Sequence, residues 1–174
     1  RDRTRYPDVE VVVVDHETTE LRARRLIDGL VDDPDAVVVP FTGPFNFAAM
    51  CNRGVEAASG EVLVLLNNDT EVVADDWLDE LVGQLARPEV GVVGALLLFG
   101  DGTIQHAGVH PGVGGLMGHG HKNRPGDDPG YHGRLTVAHE VAAVTGACLG
   151  TTRALWDRLG GLDEDRLAVA YNDI

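Results

Sequence analysis

The sequence predicts an α/β fold in which helices cover both faces of a mostly parallel sheet. Along the first half of the chain, runs of apolar, β-branched residues alternate with stretches whose apolar residues recur at helical spacing. The apolar runs are continuous, which is typical of strands that are buried on both faces of a parallel sheet. Ligands of such sheets bind beyond the carboxyl ends of the strands, so polar residues at those ends are the first candidates for a site.

Turn and capping residues delimit the elements of the first half. Pro7 precedes a β-branched run, Pro40 closes a second one, Asn46 is suited to cap a helix, and Gly60 is suited to end it. The predicted elements are a strand over 9–15, a helix over 21–31, a strand over 36–39, a helix over 46–58 and a strand over 62–66.

The second half is regular at its two ends only. Asp75 and Asp76 lead into an apolar helical stripe that ends before Pro88, and Gly160 follows another short helix. The predicted elements are a helix over 77–85, a strand over 90–98, a strand over 141–150 and a helix over 152–159. Between them, residues 100–139 are rich in Gly and Pro and are expected to form a long irregular insertion within one domain spanning 1–174.

Composition restricts the function classes. The formal net charge of −14 argues against a nucleic-acid partner, because no basic patch is available to neutralise phosphates. The same charge would repel a nucleotide unless a cation intervenes. Cys51 and Cys148 lie in apolar segments far apart in the sequence, so we expect buried free thiols and a reducing compartment.

Polar residues follow two of the predicted strands. Asp15 ends the first strand, and Asn67, Asn68 and Asp69 follow the strand over 62–66. Carboxylate and amide oxygens suit Mg²⁺ or Mn²⁺, which proteins commonly hold with one or two carboxylates and the phosphates of a substrate. The alternative interpretation is a solvated turn, since Asn and Asp are common turn residues.

The insertion offers two weaker motifs. Six of the seven histidines lie there, including His119-x-His121, but the spacing of known zinc motifs is absent, so hydrogen bonding or a polar cleft is favoured over zinc. Gly112-Val113-Gly114-Gly115 resembles part of a dinucleotide fingerprint, yet Met117 replaces its third glycine. We therefore reject a dinucleotide site.

Several stretches together resemble the inverting glycosyltransferases of family 2, which have the GT-A fold, a Rossmann-like α/β arrangement. The stretches are "VEVVVVDHETTE", "FNFAAMCNRGVEAASGEVLVLLNNDTEV", "GTIQHAGV", "VTGACLGTTRALWDRLGGLDE" and "YNDI", and "GTIQHAG" and "GYHGRL" are similar to the rhamnosyltransferase-like branch. The family's opening "PxYN" strand and its region after the final Asp are absent, so we expect a fragment that is incomplete at both ends. The fragment alone is expected to be inactive if those parts are required.

The resemblance implies residue roles. Asp15 would contact the nucleotide base, Asn67 or Asn68 would lie near the ribose, and Asp69 would bind Mg²⁺ or Mn²⁺ on the donor diphosphate. Asp173 would be the catalytic base that deprotonates the acceptor hydroxyl. Gly146 and Ala147, from "TGAC", would line the acceptor side.

The implied function is transfer of a sugar, of hexosyl type, from a nucleotide-sugar donor to a glycan or lipid-linked acceptor in polysaccharide or glycoconjugate assembly. We expect a cytoplasmic location, with peripheral membrane association through regions outside this chain. One alternative is a degenerate GT-A module that binds a nucleotide or a partner without catalysis, because Asn stands at 68 and 172 where the family has acids. A sugar nucleotidyltransferase is disfavoured, because its Gly-rich basic phosphate loop is absent.

Overall fold

The computed structural model describes residues 3–169. The strands are, in chain order, β1 (Val11–His16), β2 (Ala36–Phe41), β3 (Val62–Leu66), β4 (Val92–Gly94), β5 (Leu97–Leu98), β6 (Ile104–His106), β7 (Val109–Pro111), β8 (Met117–His119) and β9 (Cys148–Thr152). The helices are α1 (Leu21–Leu30), α2 (Phe47–Ala57), α3 (Trp77–Leu85) and α4 (Arg153–Leu159). None of the helices within 3–169 is long and apolar enough to cross a membrane.

The first four elements form a βαβα unit with a parallel strand pair. β1 and β2 pair in register from Val11 opposite Ala36 to His16 opposite Phe41. The α2 helix begins where predicted, because the Asn46 side chain accepts a hydrogen bond from the backbone N–H of Ala49 at 2.9 Å. β2 continues through Pro40, which the sequence had predicted to end it. An edge strand tolerates proline, and β2 pairs only with β1 among the residues described.

The second sheet has the order β3–β9–β4, and both of its pairs are antiparallel. The predicted α/β class is confirmed, but parallel pairing within residues 3–169 is limited to β1 and β2, so the arrangement is mixed. The reason is that β9 returns to the sheet after a long excursion and enters between β3 and β4. In the described part of the chain, no ladder joins β1 to β3, so the two sheets are separate.

Two predicted strands were wrong in extent. The run over 90–98 is divided into β4 and β5, with Ala95 and Leu96 outside both strands, and Gly94 at the end of β4 passes so close to Val144 that a Cβ on Gly94 would lie 2.5 Å from the Cβ of Val144. The predicted strand over 141–150 is regular only from Cys148, and β9 extends to Thr152. Residue 143 instead forms an isolated bridge with Val109.

The core of the second sheet is apolar and packs under α3. Leu78, Leu81 and Cys148 are buried together there, with Trp77 and Val64 partly buried beside them. The α3 helix follows its predicted bounds and presents this stripe to β4 and β9. This packing holds β3 and β9 side by side and so sets the position of their adjoining loops.

Residues 100–139 contain three short strands and two 3₁₀ turns. β7 and β8 form an antiparallel hairpin with Val109 opposite His119, and β6 pairs with β5. The Val109 N–H donates to the carbonyl of Ala143 at 2.8 Å, which fastens the hairpin to the segment that leads into β9. The extent of the insertion and the single-domain boundary stay predictions.

Candidate active site

The polar residues after β3 are held by a hydrogen bond to the segment before β9, the strand that pairs directly with β3. The backbone N–H of Asn67 donates to the carbonyl oxygen of Ala147 at 3.0 Å, and the Thr70 hydroxyl donates to the carbonyl of Asn67 at 2.8 Å. These bonds form a tight turn that carries Asn68 and Asp69 on its exposed side. The structure therefore brings together two of the predicted regions, the residues after β3 and the residues before β9.

Asp69 differs from its acidic neighbour. The Glu71 carboxylate forms an ion pair with Arg3, whereas the Asp69 carboxylate has no hydrogen bond or ion pair to any residue within 3–169. An exposed carboxylate without a protein partner keeps its lone pairs available to a ligand. Asp69 thus has the accessibility that its predicted role requires, and that role stays a prediction.

Gly146 and Ala147 lie in a turn that immediately precedes β9. The Ala147 N–H donates to the Thr145 hydroxyl at 3.4 Å, and the Cys148 N–H donates to the Thr145 carbonyl at 3.3 Å. Gly146 is buried and Ala147 is half-buried, and their role on the acceptor side stays a prediction.

Asp15 lies at the carboxyl end of β1, on the other sheet. It is 8% exposed, its Oδ1 accepts from the Thr18 N–H at 3.1 Å, and its Oδ2 accepts from Arg24 Nη1 at 2.7 Å. The hydrogen bonds from Thr18 lower the pKa of the Asp15 carboxyl, with a further contribution from Arg24, and together they outweigh the effect of burial. Asp15 is therefore held as an anion, and its contact with a nucleotide base stays a prediction.

The loops after β1 and β2 are joined beside Asp15. His16 Nε2 lies 2.8 Å from the carbonyl oxygen of Gly43, and its ring packs edge-on against Phe41 with 5.6 Å between centroids. Sequence reasoning did not identify His16, although its position next to Asp15 at a strand end was a usable signal.

An open cleft of about 410 Å³ lies along α2. Its lining is mostly polar and consists of Phe41, Asn46, Ala49, Asn52, Arg53, Glu56, Glu164 and Asp165. Sequence reasoning missed these residues as a group because the lining joins α2 to a segment more than a hundred residues later. The sequence predicted α2 itself from its Asn46 cap, but it held no signal that residues 164 and 165 lie beside this helix.

Asn46 and Asn52 connect α2 to that later segment. Asn46 Nδ2 donates to the Glu164 carbonyl at 3.0 Å, and Asn52 Nδ2 donates to the Leu162 carbonyl at 2.9 Å. The segment leads toward the carboxyl end of the chain. Asp173, the predicted base, lies outside the described residues, so its role stays a prediction.

The remaining candidates concern thiols and histidines. Both cysteines are free, as predicted, and burial raises the pKa of the Cys51 thiol to about 12. Within residues 3–169, no three His, Cys, Asp or Glu side chains are grouped so that they could hold a metal by themselves. Among the histidines of the insertion, His106 forms a hydrogen bond with His119 and His139 one with the carbonyl of Val137, whereas the buried Nε2 of His110 has no partner among the described residues.

A divalent cation nevertheless fits the Asp69 turn under one condition. One unpaired carboxylate is too few ligands for a protein-only site, but Mg²⁺ and Mn²⁺ sites in nucleotide enzymes commonly use one or two carboxylates and complete their coordination with phosphates and water. The available carboxylate ligand therefore fits a cation that is bound jointly by the protein and a diphosphate.

Comparisons with known proteins agree with this architecture. The sequence model described as "Glycosyl transferase family 2" matches residues 1–156, and the chain belongs to this family. The predicted GT-A fold is confirmed by a solved mannosyltransferase, PcManGT from Pyrobaculum calidifontis in complex with GDP-Man and Mn²⁺. That similarity has a TM-score of 0.64 and 25% sequence identity, and it covers 99% of this chain and 43% of the mannosyltransferase.

Two curated relatives match over nearly the whole chain. The uncharacterized protein y4gI of Sinorhizobium fredii (strain NBRC 101917 / NGR234) is 44% identical over 174 residues, which are 99% of this chain and 19% of the relative. The O-antigen biosynthesis protein RfbC of Myxococcus xanthus is 43% identical over 173 residues, which are 99% of this chain and 13% of the relative. The chain therefore spans less than a fifth of the length of either relative.

Proposed function

We propose that the protein containing this chain transfers a sugar, of hexosyl type, from a nucleotide-diphosphate donor to an acceptor hydroxyl with inversion. The acceptor is a glycan or a lipid-linked glycan in polysaccharide or glycoconjugate assembly. Membership of glycosyl transferase family 2 supports the reaction class. The names of similar proteins support the nucleotide-sugar donor and the assembly context, since one is an O-antigen biosynthesis protein and one is a mannosyltransferase in complex with GDP-Man and Mn²⁺.

The hydrogen bond between Asn67 and Ala147 is the observation on which the site assignment depends. It joins the turn that bears Asp69 to the turn that bears Gly146 over 3.0 Å. In the proposed site, the first turn binds the donor diphosphate and the second lies on the acceptor side. The donor and the acceptor would then meet across a rigid backbone contact, and holding two reactants in a fixed geometry is a major source of rate enhancement.

The donor side uses the polar residues of both strand ends. Asp69 would hold Mg²⁺ or Mn²⁺ together with the diphosphate, Asn67 or Asn68 would contact the ribose, and Asp15 would contact the base. When bound, the divalent cation supplies positive charge beside the leaving diphosphate. This also accounts for the binding of an anionic donor by a chain whose formal net charge is −14.

The acceptor side needs a proton acceptor. Asp173 would take the proton from the acceptor hydroxyl as its oxygen attacks the anomeric carbon, with the diphosphate leaving from the opposite face. In this arrangement a carboxylate acts as a base only and forms no covalent intermediate, which is why the configuration inverts.

Calorimetry tests the donor side. In the full-length protein we expect binding of GDP, UDP or dTDP that requires Mn²⁺ and is lost in Asp69→Asn. Glu71→Gln is the matched control, because it removes a neighbouring carboxylate that is already paired with Arg3. Equal nucleotide affinity in the wild-type protein and Asp69→Asn would contradict the metal assignment.

A second experiment separates catalysis from binding alone. Asp173→Asn in the full-length protein should abolish transfer and leave the affinity for the nucleotide unchanged. If the wild-type protein binds nucleotide but transfers no sugar from any donor, the non-catalytic GT-A module is the correct description. Transfer that survives in Asp173→Asn would exclude Asp173 as the base.

A further inference from the structure

Two histidines of the 100–139 segment are in direct contact. His106, at the end of β6, is 1% exposed, whereas His119, at the end of β8, is exposed. Their Nδ1 atoms lie 2.9 Å apart, and their rings meet edge to face with 5.0 Å between centroids. A hydrogen bond between two imidazoles requires one nitrogen to donate and the other to accept.

The backbone determines which nitrogen donates. His106 Nε2 faces two N–H donors, those of Gly108 at 3.3 Å and Thr145 at 3.4 Å, so Nε2 accepts and carries no proton. The proton of a neutral His106 is then on Nδ1 and is donated to His119 Nδ1. His119 thus accepts the proton of the His106 tautomer that can hold the Thr145 N–H, and so stabilises that tautomer.

Thr145 begins the turn that leads to the proposed active site. The Thr145 hydroxyl accepts from the Ala147 N–H at 3.4 Å, and the Ala147 carbonyl accepts from the Asn67 N–H at 3.0 Å. A continuous series of hydrogen bonds therefore runs from His119 through His106 and this turn to the start of the Asn67–Asp69 turn. Fixed networks of this kind can transmit positional restraint between sites.

We propose that His106 is a positioning residue of the active site, and that His119 keeps it in the neutral Nδ1–H tautomer. Through the Thr145 N–H, His106 holds the turn at Gly146 and Ala147, and this turn holds the backbone that presents Asp69. The expected effect on nucleotide binding rests on the proposed function. The expected effect on hydrogen exchange of the backbone rests on the hydrogen bonds alone.

Hydrogen exchange measured by mass spectrometry tests the backbone consequence without any ligand. In the full-length protein, His106→Leu should increase exchange in the peptide over 143–149 about tenfold, as expected for the loss of one stabilising hydrogen bond. His106→Gln should restore protection, because its Oε1 can reach the position of Nε2 and accept from Thr145. His139→Leu, in the same segment, is the control and should leave this peptide unchanged.

His119 provides a second pair of variants at an exposed position, where misfolding is not a concern. His119→Leu removes the acceptor of the His106 proton and should also increase exchange over 143–149, whereas His119→Asn retains an acceptor near Nδ1 and should not. If His106→Leu does not fold, the comparison of His119→Leu with His119→Asn tests whether the contact between the two histidines protects the peptide over 143–149. Equal exchange in the Leu and Asn variants would overturn the role of His119.

Calorimetry with GDP, UDP and dTDP in the presence of Mn²⁺ tests the consequence for the site. We expect His106→Leu to weaken nucleotide binding about fivefold and His106→Gln to restore it, which a purely structural loss would not do. If the wild-type protein binds none of these nucleotides, the proposed function fails, while hydrogen exchange still decides the positioning role. If His106→Gln exchanges as fast as His106→Leu, the positioning role is wrong.

Discussion

The side chain of Asn52 binds both backbone hydrogen-bonding groups of Leu162. Its Nδ2 donates to the Leu162 carbonyl at 2.9 Å, and its Oδ1 accepts from the Leu162 N–H at 2.9 Å. A side-chain amide pairs with a peptide group in this way as another peptide would. The interaction attaches the segment after α4 to the middle of α2, although the two residues are 110 positions apart in the sequence.

Replacement of Asn52 by alanine should therefore destabilise the protein. Both hydrogen bonds are lost and two partly buried backbone groups of Leu162 remain unpaired, so we expect the free energy of unfolding to fall by about 2 kcal/mol. Urea denaturation measures this change. Arg53→Ala is the control, because Arg53 is exposed and its ion pair with Glu56 should contribute little. Equal losses in the two variants would show that the Asn52 bonds have no special role.

Replacement of Arg153 by lysine should destabilise the protein. Its guanidinium donates to the carbonyls of Ala58 at 2.8 Å, Gly60 at 2.9 Å and Val55 at 3.3 Å, and so satisfies the carboxyl end of α2. Lysine retains the charge but lacks the planar arrangement of donors, and we expect Arg153→Lys to lower the free energy of unfolding by about 2 kcal/mol.

Thermal and urea denaturation of Arg153→Lys can be compared with Arg158→Lys. Arg158 lies exposed in the last turn of the same helix, where lysine serves equally well. The expected result is a clear difference between the two variants. An Arg153→Lys protein as stable as Arg158→Lys would mean that charge alone is sufficient at position 153.

Asp15 should make stability dependent on pH in the acid range. Because its pKa is lower in the folded protein than the ordinary value of 3.8, the carboxylate stabilises the fold fully above that value. This contribution is lost as the pH falls through the lower, folded-state pKa. We expect Asp15→Asn to reduce the free energy of unfolding by about 1 kcal/mol at pH 7 and by progressively less below pH about 4.

Urea denaturation of Asp15→Asn at several pH values checks this dependence. Asp28→Asn is a matched control, since Asp28 is an exposed partner of the same Arg24. The difference in the free energy of unfolding between the wild-type protein and Asp28→Asn should depend less on pH than the difference between the wild-type protein and Asp15→Asn. A constant difference between the wild-type protein and Asp15→Asn from pH 7 to pH 3 would contradict the assignment.

Local signals predicted the elements whose ends are set by local chemistry. The β3 strand has its predicted bounds, and α2 begins after Asn46 because that side chain caps it. The segment over 141–150 was misjudged because its apolar residues are compatible with a strand, whereas a partner distant in sequence determines its path. Val109 and His106 bind this segment, and neither contact has a local signature.

The same distinction between local signals and distant partners applies to the candidate site. Asp69 became a candidate through its position after an apolar strand; its exposure is compatible both with a ligand site and with a solvated turn, and its role stays a prediction. The hydrogen bond from Asn67 to Ala147 could not be identified, because it depends on the antiparallel entry of β9 beside β3. The contact between the buried His106 and the exposed His119 was likewise hidden, since thirteen positions separate the two residues in the sequence.

The central position of β9 has a consequence for the order of events during synthesis. β3 and β4 leave the ribosome before β9, the strand that pairs with both of them, and β9 is made only after the whole 100–139 segment has emerged. At ordinary rates of translation this interval lasts on the order of seconds, which is long compared with the time that a β-hairpin needs to form. The nascent chain therefore exposes two unpaired strand edges during that interval, and chaperone binding should be concentrated there.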